Sequence, residues 1–245
     1  VKSSNNNNFN NDLASGVDSM AAGVSIKALG ERSVAIGNNN EAQSTGSITL
    51  GVGYSDGNAA NGLKQTLAVT GYEYNMAIGA GAQSAGNSSI AIGTLATSSI
   101  KNKGDAVDKA IAIGYSAGVS DSKAIAIGSD AKSNSKSASA LGDTAQALAN
   151  DALAIGTQAQ ASGSTSAAIG ARSAVSGANT YVVGSDNSNN PAGTGATITA
   201  TNSGVFGNQN RLEGNKNRLV GNSNTVKLES MALLTTPKKI EDVMI

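Results

Sequence analysis

Few residues in this sequence could ionise, attack or ligate in the service of chemistry. There is no histidine and no cysteine. That excludes a Ser-His-Asp triad, a cysteine nucleophile, a zinc finger, histidine-held haem and any disulfide framework. Two carboxylates suffice to cleave a glycosidic bond, but Asp121, Asp130, Asp143 and Asp151 do not gather on one predicted face. Asp186, Asn187 and Asn189 lack the spacing of a calcium loop. The Gly-x-Gly steps at 51–53 and 79–81 lack the strand-to-helix setting of a nucleotide site. No catalytic residue, metal site or cofactor is expected, and the chain reads as a non-enzyme.

Two groups of residues suit recognition instead. Tyr54, Tyr72 and Tyr74 bracket residues 55–73. Tyrosine offers contact area and a hydroxyl at low entropic cost, so these three are candidate ligand-binding residues. The alternative is that they fill a wider local core in a degenerate rung. Lys101 and Lys103 lie in the charged segment 99–109. They are candidates to touch a partner, against the plainer reading of a solvated loop.

The elements that must carry these residues are built from small side chains. The 245 residues include 40 Ala, 32 Ser and 30 Gly, with 3% aromatic and 14% charged residues. An ordinary core of Leu and Phe cannot be assembled from that supply. Seventeen basic residues balance seventeen acidic ones, so no net field attracts nucleic acid. No apolar run approaches the roughly 20 residues that span a bilayer.

Self-similarity organises the chain. Pentads ending in glycine recur as SVAIG at 33–37, SIAIG at 89–93, AIAIG at 110–114 and 124–128, ASALG at 138–142, ALAIG at 152–156 and SAAIG at 166–170. Their glycines are Gly37, Gly93, Gly114, Gly128, Gly142, Gly156 and Gly170, and related pentads end at Gly23, Gly51, Gly79 and Gly184. Eight of the ten intervals are 14 residues; the other two are 28 and 21. A 14-residue period suits two short strands and two turns. Residues alternate within each pentad as a strand requires, and the glycine permits the tight turn that follows. Stacked coils then pair as parallel strands about 4.8 Å apart, giving roughly 14 rungs and a rod on the order of 65 Å long. Both long intervals are multiples of seven, which suggests a structural half-repeat.

The middle residue of the pentad is almost always alanine, as at Ala91, Ala126 and Ala154. A solvent-facing strand position would tolerate larger polar residues. The constant small residue implies close packing on both faces, and these three alanines are assigned to a seam between copies of the chain. Spacing alone does not tell which row faces the coil interior. Near the C-terminus the period halves: Gly207, Gly214 and Gly221 are seven apart, with Asn208, Asn215 and Asn222 in one row and Asn210, Asn217 and Asn224 in another. Asparagines in register can hydrogen-bond along a stack. Residues 185–203 interrupt the period and read as a loop with a small strand at 196–200. Residues 1–11 read as disordered, 12–228 as the repeat domain, and 229–245 as a tail that begins a helix at Thr236-Pro237 or derives from cloning.

These pentads, at 14-residue spacing and in register, resemble the head domain of the YadA-like trimeric autotransporter adhesins. The resemblance covers roughly residues 12–228. It implies an all-β fold, a left-handed parallel β-roll assembled as a homotrimer, with Ala91, Ala126 and Ala154 at the trimer seam. It also implies exposure at the bacterial outer membrane, on a stalk and barrel anchor that this stretch does not contain. The partners it implies are host matrix proteins (fibronectin, laminin or collagen) or host-cell receptors. The neck signature of the family is missing from the tail. A phage-tail or surface solenoid acting on polysaccharide is the alternative reading.

Overall fold

The computed structural model describes residues 14–55, 66–68, 72–98, 108–187 and 198–226. The segments 1–11 and 229–245, the lysines Lys101 and Lys103, and most of the interruption at 185–203 lie outside the described residues. The described chain is an all-β parallel solenoid, with no helix among the described residues. Each coil contributes one strand to a 13-stranded sheet, and most coils add one to a facing 10-stranded sheet. A two-stranded sheet, Arg211–Leu212 with Thr225–Val226, closes the second wall at the C-terminal end.

Registration is by identical position. Ile111, Ala112 and Ile113 pair with Ile125, Ala126 and Ile127, and those pair with Ser139, Ala140 and Leu141. The turns are laddered too: Lys123 N–H donates to Asp108 O, Ser137 N–H to Ser122 O and Asp151 N–H to Lys136 O, at 2.9–3.0 Å. Parallel pairing thus runs round much of the coil, which answers where the backbone groups of such a thin structure find partners.

The thirteen first-sheet strands correct the expected 14 rungs. Ile48–Val52 pairs directly with Met76–Ile78, so the 28-residue interval holds one rung and an insertion, not two rungs. The 21-residue interval behaves likewise, because Ile90–Ile92 pairs with Ile111–Ile113. Among the described residues, neither interval adds a half-rung to the first sheet. In the 185–203 interruption the expected small strand reduces, among the described residues, to an isolated bridge between Val175 and Ile198. The C-terminal coils keep the 14-residue turn despite their seven-residue sequence period. Gly204–Phe206 pairs with Arg218–Val220, and both walls simply use the same motif.

The alternation within the strands resolves into inside and outside. Ala91, Ala126 and Ala154 are 0% exposed within a single chain. They face the coil interior, against the second-sheet row that includes Val119, Ala147 and Ala161. This corrects their assignment to a trimer seam: a residue already enclosed by its own chain has no surface left for a neighbour. The alanine row is constant because two sheets close over it and nothing larger fits. Toward the C-terminus the interior enlarges, with Val175, Val182, Ile198, Val205 and Leu212 all buried.

The pentad glycines sit where no other residue fits. Gly128 has φ +135°, and a Cβ there would lie 2.3 Å from Gly142 O. The same collision recurs at Gly37, Gly93, Gly114, Gly142, Gly156 and Gly170, each against the glycine of the next coil.

Candidate binding surfaces

Because the alanines point inward, the residues flanking them point out. On the first sheet this produces two aliphatic columns. One runs Met20, Val34, Ile48, Met76, Ile90, Ile111, Ile125; the other runs Ile36, Leu50, Ile78, Ile92, Ile113, Ile127, Leu141, Ile155, Ile169. All of these are half-buried or exposed in the single chain, Ile127 at 38%. The second column continues through Val183, Phe206 and Val220, the last 77% exposed. The first column becomes mixed after Ile125, with Tyr181 opposite Gly204 in register and Arg218 below it. An apolar strip this continuous is unusual for a surface left to water.

The second sheet presents a different exterior. Its outward row includes Lys27, Glu41, Gln83, Thr97, Lys132, Gln146 and Gln160. Lys27 Nζ approaches Glu41 at 3.8 Å. Toward the C-terminal end, on the turn between Ala167–Ile169 and Ala174–Val175, Arg172 Nε and Nη2 donate to the Asp186 carboxylate at 2.5 and 3.0 Å. That hydrogen bond, and then the Asp186 charge, raise the Arg172 pKa further above its ordinary value, so the guanidinium keeps its charge throughout the physiological range.

The structure separates the tyrosine candidates. Tyr54 follows Ile48–Val52 on the side leading to the second sheet, whereas Tyr72 and Tyr74 lie on the turn returning to the first. They stand at opposite turns and do not form one patch. Tyr74 is exposed, and its ring covers Gly46, where a Cβ would meet Tyr74 Cδ1 at 2.6 Å. The tyrosines at 115 and 181 are also exposed, and residue type alone did not single them out. The scattered carboxylates divide between the two turns of the coil: Asp121 and Asp151 on one, Asp130 and Asp143 on the other.

Asparagine ladders occupy both turns and the interior. Asn208 N–H donates to Asn222 Oδ1, and Thr201 N–H to Asn215 Oδ1, both at 2.8 Å. Inside the coil, Asn210 Nδ2 donates to Gly221 O at 2.6 Å and Asn210 N–H to Asn187 Oδ1 at 2.9 Å. These contacts hold the C-terminal coils together side chain to backbone.

The model of the YadA head domain repeat matches residues 14–40, 28–52, 76–96, 108–131, 133–159 and 147–173, together just over half of the chain. The chain belongs to the YadA head-repeat family. This is a family of adhesin heads and not of enzymes. The YadA-type repeat therefore accounts for the pentads, their glycines and the coil, while the rungs from Tyr181–Val183 onward extend the same geometry beyond the matched residues. No curated protein matches the chain.

Proposed function

We propose that the protein is the adhesive head of a surface-exposed trimeric autotransporter and attaches bacteria to host matrix proteins or host-cell receptors. The observation that carries this reading is the array itself: near-identical outward side chains repeat rung after rung along one 13-stranded sheet and its partner. Many weak copies of one contact on a rigid rod gain avidity against an extended matrix molecule.

The aliphatic face of the first sheet is where two further copies of the chain pack. Each copy would bury the outward isoleucines at roughly 25 cal/mol per Å², which the thin interior, mostly alanine and serine, does not supply alone. Threefold assembly would triple every outward site and leave the polar second sheet facing solvent. Localisation at the outer membrane follows from the same reading, through an anchor outside this stretch. Lys101 and Lys103 remain proposed contact residues on this head, as do Tyr54, Tyr72 and Tyr74, now as separate positions.

The test is solid-phase binding of the folded assembly to immobilised fibronectin, laminin and collagen, at low and at high salt. Binding that persists at high salt is expected, because the net charge is zero and steering by charge is weak. No binding to any matrix protein or to host cells would overturn the reading. Tyr72→Ala and Tyr74→Ala then ask whether the turn before Met76–Ile78 contributes.

A further inference from the structure

Gly118 is unlike the pentad glycines. It lies in the two-residue strand Gly118–Val119, and its φ is outside the left-handed region. A Cβ built there would meet only Thr97 Oγ1, at 3.7 Å. Neither backbone conformation nor space requires glycine at this point, and glycine in a strand carries an entropic cost. One setting in which a strand keeps a glycine is the close approach of a ligand or another backbone.

Its position is specific. Gly118 sits in the outward row of the second sheet, in register between Thr97 and Lys132; Gln83 precedes Thr97, and Gln146 and Gln160 follow Lys132. Two grooves lie on this same line. One, of about 320 Å³, is lined by Gln83 and Thr97 with Leu95 as a wall. The other, of about 260 Å³, is lined by Gln146 and Gln160 with Gln158 as a wall. Leu95 and Gln158 occupy the same turn position, both with φ near +60°. The two grooves are therefore the same feature, repeated on either side of the Gly118 notch.

We infer that this row, from Gln83 to Gln160, is a binding track for one linear, neutral glycan chain lying along the rod. Six rungs at about 4.8 Å give a track on the order of 24 Å, which demands an extended ligand. The primary amides and the Thr97 hydroxyl both donate and accept, matching sugar hydroxyls that do the same. Lys132 is the one charged residue in the row, and the adjacent turns carry the opposite charges of Asp130 and Asp143, so no run of like charge along the track selects an ionic polymer. An extended peptide is less suited. The strands of this row are hydrogen-bonded to a neighbour on each side, so no open edge is left for strand addition. The inference deepens the adhesive reading by naming a ligand class. It rests on that reading in one respect, that copies meet through the first sheet and leave the second uncovered.

The experiment is calorimetric titration of the intact assembly with maltohexaose, cellohexaose and chitohexaose. A triple-helical collagen peptide and a heparin hexasaccharide serve as the other ligand classes. Binding of at least one neutral hexasaccharide is expected, and about tenfold weaker binding in Gly118→Leu, which fills the notch. The double variant Gln146→Ala/Gln160→Ala provides the same reading should Gly118→Leu fail to fold. Failure of all three neutral sugars to bind overturns the track, as does unchanged affinity in the folded variants. So does competition in which the collagen peptide or heparin fragment alone occupies this row. Loss of matrix-protein adhesion with the sugar affinity intact would instead strike the adhesive reading and leave the track standing.

Discussion

Two glycines ten residues apart should respond oppositely to the same substitution. Gly128→Ala drives a methyl group to 2.3 Å from Gly142 O at φ +135°, and should cost about 3 kcal/mol or more. Gly118→Ala makes only an ordinary contact with Thr97 Oγ1, at 3.7 Å and an ordinary φ, and should stabilise by about 0.5–1 kcal/mol. Urea denaturation of both variants checks the pair. The turns raise a related point, because non-glycine residues with φ near +55° recur at both corners of the coil. Thr144, with φ +53°, is β-branched and poorly suited to that region. Thr144→Gly should therefore raise stability by about 1 kcal/mol, seen as an upward shift in the thermal midpoint. The glycine role was legible at 33–37 and its copies, because only glycine ends every pentad. The corner conformation was not. Arg32, Leu95, Lys123 and Gln158 share it without sharing a residue type, since the ladder on either side imposes it.

At the scale of the strand, inward and outward positions one residue apart separate folding from assembly. Ala126→Glu places an unpaired charge in a closed interior and should unfold the coils around it, at a cost of several kcal/mol. Ile125→Glu changes a half-buried outward position and should leave the strand signal of circular dichroism intact while lowering the mass measured by light scattering. Dissociation without unfolding is the result that identifies the aliphatic face as the seam. The alternation itself was readable from isoleucine and alanine types. Its polarity was not, because a 14-residue coil has so small an interior that the smaller residue goes inside, against the usual rule for cores. The tyrosine group failed for a similar reason: proximity in sequence across an insertion placed Tyr54 and Tyr74 at opposite turns.

Across the whole molecule the interior changes character, and stability should follow it. In the first coils Ser33 Oγ, Asn40 Oδ1, Thr49 Oγ1 and Asn75 Oδ1 are buried without a hydrogen-bond partner, each a cost of about 1–3 kcal/mol. The last coils instead bury Val182, Val205 and Leu212 and tie Asn187, Asn210 and Asn224 into a ladder. Since each coil contacts mainly its neighbours, stability is close to a sum of local terms. Hydrogen exchange should therefore be faster at amides of Val34–Asn38 than at those of Tyr181–Val183 and Gly204–Phe206. Equal protection along the rod would contradict the gradient.

Register survives the long intervals, because the strands on either side of each one pair directly. Deleting residues 99–105 restores a 14-residue interval and should change stability by no more than about 1 kcal/mol, measured by thermal melting. The coil thus keeps its count of rungs separate from its count of residues. Length along the rod is therefore set by the number of paired strands and is indifferent to how many residues separate one strand from the next.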